Sequence, residues 1–409
     1  MSDRFYTVLA AQFFSALGDN ALLFAAIALL RSLDMPSWQI PALQEGFVVS
    51  FIALAPFVGP FADALPKGRV MLISNTVKIV GCGAMLVGLP PLLAYGFVGI
   101  GAAMYSPAKY GILTECLPPE RLVWANGWME GLTVAAIILG AILGGLLIGD
   151  TVQERIVSAL QGQPFATGID TAPEFAIAVV LVIYLVAALF NLYIPKVPID
   201  HALPQRTLGF IVRDFAQSFL KLWRDPLGQV SLAVTTLFWG AGSTLRLIIL
   251  LWAAEALGFN LEQATQLTAV VAVGIGIGAA IAGRSVPLDH AVRVLRVGVA
   301  MGFTVAIMAL VTDWRVAIPL LALIGALGGY FVVPMNALLQ HRGHLLMGAG
   351  HSIAVQNFNE NLSILMMLGA YSLMIRAGWP VNLIVVAFGL TVAGAMGWLT
   401  KVHGHDQDG

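Results

Sequence analysis

The stretch GFVGIGAAMYSPAKYGILTE, residues 96–115, gives the clearest indication of what this chain folds into. Its first half contains only small and apolar residues, as the interior of a transmembrane helix does. A proline, Lys109 and Glu115 follow within the same stretch. A charged side chain beside hydrocarbon needs a polar partner or a path to water. The stretch therefore predicts a membrane protein with polar groups on its helices.

The composition of the whole chain agrees with this interpretation. Of 409 residues, 59% are hydrophobic and 11% are charged, and the mean hydropathy is +0.87. A soluble globular protein has about 25% charged residues. Apolar runs of roughly 20 residues, the length of a spanning helix, recur along the sequence. They predict twelve transmembrane helices, at residues 7–30, 44–64, 70–90, 92–113, 122–148, 173–194, 229–257, 264–283, 292–311, 315–339, 347–376 and 379–401.

Residues 195–228 differ from the predicted spans. They contain five Lys and Arg residues, and their apolar residues recur about once per helical turn, which is typical of an amphipathic helix on a membrane surface. We therefore predict an all-α integral membrane protein with two six-helix bundles. Residues 1–194 form the first bundle, 195–228 a cytoplasmic linker, and 229–409 the second bundle with a short cytoplasmic tail.

The distribution of basic residues predicts the orientation in the membrane. With both termini inside, fourteen of the 21 Lys and Arg residues lie in inner segments, four in outer loops and three within spans. Such an excess marks the cytoplasmic side. The net charge of −1 argues against a nucleic-acid partner, and the two cysteines are too far apart to indicate a disulfide or a metal site. We expect no cofactor and no metal.

The two halves of the chain resemble each other. ANGWMEGLT at 125–133 aligns with VQNFNENLS at 355–363. In the first copy Asn126, Glu130 and Thr133 follow the spacing i, i+4, i+7, which places them on one helix face. The equivalent residues of the second copy are Gln356, Glu360 and Ser363. Two similar halves with inward polar residues predict a site near the midplane.

Charged residues within spans mark function by default, although an ion pair can also simply hold helices together. We predict that Arg246 pairs with Asp19, which lies near the middle of the first span. Lys109 is either a functional cation or a side chain that extends to the cytoplasmic interface. The candidate substrate-binding or gating residues are Asp19, Asn20, Lys109, Asn126, Glu130, Arg246, Asn336, Gln356, Asn357, Asn359 and Glu360.

The second span ends in GPFADALPKGRV, residues 59–70. Its pattern, G-xxx-D-xxxx-G-R, is either an ordinary positively charged inner loop or a functional turn at the cytoplasmic mouth. The residues of this candidate motif are Gly59, Asp63, Lys67, Gly68 and Arg69.

This turn is similar to the motif between helices 2 and 3 of the major facilitator superfamily. The repeat and the twelve spans fit that superfamily, so the resemblance implies the major facilitator fold. Further stretches, among them FFSALGDNALLF, YSPAKYGIL, ANGWMEG, YFVVPMNALLQ and AVQNFNEN, resemble the lysophospholipid transporter family over nearly the full chain. The resemblance implies transport of lysophosphatidylethanolamine and related lysolipids across the bacterial inner membrane to the cytoplasmic leaflet. It also implies a functional partner there, a membrane-associated acyltransferase/acyl-carrier-protein synthetase that reacylates them. We expect a monomer.

The main alternative is a proton-coupled exporter of drugs or small metabolites, with Asp19, Glu130 and Glu360 as proton carriers. An enzyme is disfavoured because the sequence shows no positioned acid–base constellation and no P-loop motif.

Overall fold

The computed structural model describes residues 2–36, 38–149, 152–157, 169–194 and 207–403, and this part of the chain is helical, without a strand. Short 3₁₀ turns lie at Pro119–Arg121, Leu288–Val294 and Met308–Leu310. The α-helices are α1 Ser2–Ser32, α2 Gln39–Asp63, α3 Lys67–Leu86, α4 Pro91–Cys116, α5 Leu122–Leu147, α6 Ala172–Leu192, α7 Leu208–Arg224, α8 Pro226–Leu257, α9 Leu261–Ser285, α10 Leu295–Ile307, α11 Trp314–Met347, α12 Ala349–Arg376 and α13 Val381–His403.

Twelve of these helices, all except α7, coincide with the predicted spans, and the all-α membrane fold is confirmed. Within the described ranges, ten helical segments are long and apolar enough to cross a membrane. The remaining two, α4 and α12, have 26 and 28 residues, which is sufficient length. Both contain charged or polar residues, namely Lys109 and Glu115 in α4 and the polar run at 356–361 in α12.

The helix expected within residues 195–228 is α7; residues 195–206, with Lys196 and Arg206, and the tail at 404–409 lie outside the described residues. The end of α7 is held to α11. Lys221 donates to the carbonyl oxygen of Leu346, and Arg342 binds Asp225. Partial burial raises the pKa of Asp225, but the hydrogen bonds from Arg342 and a backbone N–H outweigh it and hold this pKa below its usual range. Asp225 is therefore ionised at neutral pH.

The chain divides into two compact units. Unit 1 comprises Met1–Glu115 and Ala135–Phe215, and unit 2 comprises Cys116–Val134 and Ala216–Gly409. Helix α5 thus contributes its first half to unit 2 and its second half to unit 1.

Unit 1 packs α6 against both α1 and α3. Two apolar clusters occupy its interior. One includes Val8, Met71 and Ile112, and the other includes Leu22, Met85 and further residues of α4 and α6. Between these clusters the buried residues of α1 and α3 are polar except for two glycines, so a buried polar layer separates two apolar ones. They are Gln12, Ser15, Gly18, Ser74, Asn75, Lys78 and Gly81.

Unit 2 packs α9 against α11, α10 against α13, and α8 against α12. Glycines allow the first of these pairs to approach closely, because small residues let membrane helices come into backbone contact. A Cβ atom added at Gly278 would clash with the backbone of Ala326, and one added at Gly329 would clash with the backbone of Ile275.

Gly278→Val should destabilise the protein by about 1–3 kcal/mol, because the added side chain forces α9 away from α11. Gly276→Ala, on the same helix, is the matched control, since its Cβ would meet only Val134 at an ordinary 3.8 Å. Thermal unfolding in detergent, followed by size-exclusion chromatography, compares the two variants. Equal unfolding temperatures would contradict close backbone packing at Gly278.

Candidate functional site

A charged cluster links α1, α3 and α6 in the polar layer of unit 1. Lys78 Nζ lies 2.7 and 2.8 Å from the two carboxylate oxygens of Asp19 and 3.0 Å from Ser15 Oγ. The Tyr184 hydroxyl donates to Asp19 Oδ1 at 2.7 Å. The ring centroids of Tyr105 and Tyr184 lie 5.1 and 5.4 Å from the ammonium nitrogen, within the range of cation–π attraction. The ammonium group is therefore fully coordinated. We call these five residues the Asp19 cluster.

The two charges of this cluster differ in accessibility. The Lys78 side chain is 1% exposed and the Asp19 side chain is 22% exposed, so the cation is enclosed and the carboxylate is only partly covered. The predicted pairing of Asp19 with Arg246 is corrected by the structure. The Asp19 carboxylate binds Lys78, which lies on α3 of the same unit. A buried ammonium without a carboxylate would be very costly, which explains the pairing.

Arg246 and Asn20, two further predicted site residues, are not part of the Asp19 cluster. Arg246 lies on α8 in unit 2, where it is exposed. The Asn20 amide donates to the carbonyl oxygen of Ala16 at 2.8 Å, a bond within its own helix.

The turn between α2 and α3 forms a second buried ion pair. Lys67 Nζ lies 2.7 Å from Asp63 Oδ1 and 3.1 Å from Glu115 Oε1, and it donates to the carbonyl oxygen of Ala62 at 2.8 Å. One lysine thus joins the end of α2, the start of α3 and the end of α4. We call Asp63, Lys67 and Glu115 the turn cluster.

The other predicted residues of this turn have different surroundings. Gly59 is buried. Gly68 is also buried, and a Cβ added to it would lie 2.9 Å from Ile194 Cβ, so glycine permits close approach. Arg69 is exposed.

The polar residues of the two repeated segments meet in unit 2, where the first half of α5 contacts α9 and α11. Asn126 on α5 and Gln340 on α11 exchange two amide hydrogen bonds, each of 2.9 Å. On the same face of α5, Glu130 accepts a hydrogen bond from Asn336 Nδ2 at 3.5 Å. Two residues of the first trio, Asn126 and Glu130, are therefore buried and bonded to α11.

The second trio continues this network. Gln356 Nε2 donates to Asn336 Oδ1 at 2.9 Å and to Glu360 Oε1 at 2.7 Å. Glu130, Asn336, Gln356 and Glu360 therefore form one hydrogen-bonded series, which we call the amide chain. The structure thus brings together four predicted residues from three helices, α5, α11 and α12.

Three further predicted residues lie outside these clusters. The Lys109 ammonium is half-buried and lies 4.3 Å from the ring centroid of Tyr110. Asn357 and Asn359 are buried on α12, where Asn359 donates to the carbonyl oxygen of Val355 at 2.8 Å.

Comparison with known proteins identifies the family. The model of the Major Facilitator Superfamily matches residues 8–367. A curated relative named "Lysophospholipid transporter LplT", from Serratia proteamaculans strain 568, is 46% identical over 377 residues, covering 92% of this chain and 89% of the relative. The LplT of Yersinia enterocolitica is 45% identical over 383 residues, covering 93% and 89%. The chain belongs to the lysophospholipid transporter family of the major facilitator superfamily.

Solved structures of the major facilitator superfamily share the fold. The transporter FucP in its outward conformation aligns with a TM-score of 0.75 at 13% identity, covering 98% of this chain and 99% of FucP. A bacterial homologue of ferroportin aligns with a TM-score of 0.71 at 16% identity, covering 97% of this chain and 99% of the homologue. At these identities the likeness concerns the fold alone.

In this member of the major facilitator superfamily the helix 2–3 turn has the sequence ALPKGR. Pro66 immediately precedes α3, where its fixed φ angle and missing N–H suit the start of a helix. The residue after Asp63 is an alanine, and the cation that neutralises Asp63 is Lys67.

The sequence prediction did not include six residues that the structure places in these contacts. They are Ser15, Lys78, Tyr105, Glu115, Tyr184 and Gln340. Lys78 carried a usable signal, because a lysine in the middle of an apolar run must have a partner. Tyr184 and Gln340 carried none, since tyrosine and glutamine become informative only once their neighbours are known. In the described part of the chain, no group of three or more His, Cys, Asp and Glu side chains is placed to hold a metal ion.

Replacing Asn126 with leucine should lower stability by about 1–3 kcal/mol, because the buried Gln340 amide then loses both of its hydrogen bonds to this partner. The double variant Asn126→Leu/Gln340→Leu should lose less than the sum of the two single variants, because no amide is left unsatisfied. The measurement is thermal unfolding of the three purified variants. Strictly additive losses would show that the two amides do not act as a pair.

Proposed function

We propose that this protein moves lysophospholipids, lysophosphatidylethanolamine among them, across the bacterial inner membrane to the cytoplasmic leaflet by alternating access. The observation that carries the proposal is the 45–46% identity to transporters named for these lipids over more than nine-tenths of the chain. Buried charged residues on the helices add support, because such residues in spans mark substrate or ion pathways.

The charged side chains favour particular roles toward the lipid head group. Glu130 or Glu360 would meet the ethanolamine amine, since charge-assisted hydrogen bonds are strong in a low-dielectric site. Arg246, which is exposed, or Lys109, which is half-buried, would meet the phosphate. Lys78 is a poor phosphate ligand because Asp19 already engages it and it is enclosed. The charged side chains would be positioned by four side-chain amides, those of Asn126, Asn336, Asn357 and Asn359.

The proposal includes the cellular setting. Residues 1–194 and 229–409 would be the two six-helix bundles, with both termini in the cytoplasm, as the excess of basic residues in the inner segments favours. The protein would act as a monomer and without chemistry of its own. Reacylation of the delivered lysolipid would fall to an acyltransferase/acyl-carrier-protein synthetase in the cytoplasmic leaflet.

Uptake of radiolabelled lysophosphatidylethanolamine by spheroplasts tests the proposal. The host strain lacks its own lysophospholipid transporter and either carries or lacks this protein. We expect rapid uptake only in the complemented cells, and slow uptake of two-chain phosphatidylethanolamine, because a second acyl chain needs more apolar volume. An uncoupler should leave uptake unchanged.

Two results would contradict the proposal. Equal uptake with and without the protein would show that lysolipid is not a substrate. Equal transport of one-chain and two-chain lipids would show that the protein does not select lysolipids. Loss of activity with the uncoupler would instead favour the proton-coupled alternative.

A further inference from the structure

The C-terminal end of α7 borders an open hollow in unit 2. Its volume is about 460 Å³, within the range of roughly 300–1,000 Å³ that small-molecule sites occupy. Five residues line it, namely Gln217, Leu220, Lys221, Arg224 and Asp225. None of them belongs to the Asp19 cluster, the turn cluster or the amide chain, so the hollow is separate from those contacts.

The side chains that line this hollow give it a positive charge. Its one carboxylate, Asp225, accepts hydrogen bonds from Arg342 and from a backbone N–H, so its charge is already neutralised. Lys221 uses one of its three N–H bonds on a carbonyl oxygen near the end of α11. The Arg224 side chain is exposed, and among the described residues it has no hydrogen-bond or ion-pair partner. The ligand that complements this hollow is therefore an anion.

An apolar surface adjoins the two cations. Leu220, which also lines the hollow, is 48% exposed, and Leu227, just beyond the end of α7, is 36% exposed. Arg224 follows Leu220 by four residues, so the two side chains are neighbours on one helix face. A soluble phosphate compound would leave these leucines in water. A phospholipid would cover them with its glycerol and the first carbons of its acyl chains.

The hollow lies where two spanning helices meet the membrane surface. Helix α8 begins at Pro226 and has 32 residues, and α11 ends at Met347 and has 34. A helix needs only about 20 residues to cross the hydrocarbon, so the ends of both helices extend into the head-group layer. Lipid phosphates lie in that layer, and basic pockets at this depth bind anionic head groups.

We propose that the hollow at the end of α7 binds the phosphodiester of an anionic phospholipid such as phosphatidylglycerol. Lys221 and Arg224 are the phosphate ligands, Gln217 donates to the head-group hydroxyls, and Leu220 contacts the glycerol and acyl carbons. The bound lipid ties the end of α7 to the bilayer. This site goes beyond lysolipid transport and does not depend on it.

Native mass spectrometry of the purified full-length protein in a mild detergent tests the site with two lipids that have the same acyl chains. Phosphatidylglycerol has a net negative charge, whereas phosphatidylcholine has none. A Lys or Arg residue near an anionic lipid contributes about fivefold to its affinity. We therefore expect the first phosphatidylglycerol molecule to bind the wild type roughly twentyfold more tightly than phosphatidylcholine, because two cations contribute.

Three variants locate this preference. Arg224→Gln removes one cation that bonds to no described residue, so the fold should be unaffected and the preference should fall about fivefold. Arg224→Lys keeps the charge and should retain most of the preference. Arg121→Gln is the matched control, because Arg121 is exposed before the start of α5 and does not line the hollow. It should bind both lipids as the wild type does.

Three results would overturn the proposal. A preference that survives in Arg224→Gln, or that falls equally in Arg121→Gln, would show that the charge of the whole surface attracts the lipid. Glycerol 3-phosphate that competes as well as phosphatidylglycerol would show that the hollow takes a soluble phosphate compound. A wild-type protein without any preference would show that this basic surface does not bind anionic lipid and would favour a protein partner instead.

Discussion

Replacing Lys78 with methionine is expected to remove most of the folded, active protein from the membrane. The substitution keeps the length of the side chain but leaves the Asp19 carboxylate without its ammonium partner. Removing one partner of a buried ion pair costs about 3–5 kcal/mol, because the other charge stays in a low-dielectric interior. The measurement is the amount of monodisperse protein after extraction, together with its unfolding temperature and its lysolipid transport.

The double variant Asp19→Asn/Lys78→Met provides the decisive comparison. Removing both charges eliminates the uncompensated carboxylate, so the double variant should unfold at a higher temperature than Lys78→Met alone. Lys401→Met is the control, since Lys401 is exposed near the end of α13. If the single and double variants are equally unstable, the charges of Asp19 and Lys78 do not compensate each other. If the double variant regains stability but does not transport lysolipid, Asp19 has a second role in binding.

Lys67→Met should have the second large effect, because two carboxylates lose this ammonium at once. Asp63 and Glu115 both lie within ion-pair distance of Lys67 Nζ, and their side chains are only 4% and 9% exposed. A loss of about 3–5 kcal/mol is expected. Arg69→Gln, two residues away at an exposed position, should have little effect. Thermal unfolding of the two purified variants gives the comparison.

A rescue variant separates charge from packing in the turn cluster. Asp63→Asn in the Lys67→Met background removes one of the two carboxylates that have lost the Lys67 ammonium, so part of the stability should return. A Lys67→Met protein as stable as Arg69→Gln would mean that the turn cluster does not hold α2, α3 and α4 together.

The membrane helices could be predicted from the sequence because hydropathy is a local property. Each predicted span overlaps one helix, and even the start of α5 agrees at residue 122. The polar stretches of α4 and α12 were recognised as helical because apolar residues surround them. The repeat also predicted which residues of α5 and α12 share a face.

Partner choice could not be predicted in this way, because it depends on which helices pack together. Asp19 and Lys78 are 59 residues apart, and the sequence offered Arg246 as an equally charged partner. Asn126 and Gln340 are 214 residues apart. The bridging role of Asn336 likewise required α11 to lie beside both α5 and α12, which no local pattern indicates.

The central claim is that this chain moves lysophospholipids without an imposed ion gradient. Purified protein in liposomes, with lysophosphatidylethanolamine placed in the inner leaflet, allows a direct measurement. A membrane-impermeant amine reagent then reports the rate at which the lipid reaches the outer leaflet. We expect rapid labelling of lysophosphatidylethanolamine with the wild type and slow labelling in protein-free liposomes. Two-chain phosphatidylethanolamine should be labelled slowly in either case. Equal rates for lysophosphatidylethanolamine with and without the protein, or a rate that rises only when a proton gradient is imposed, would contradict it.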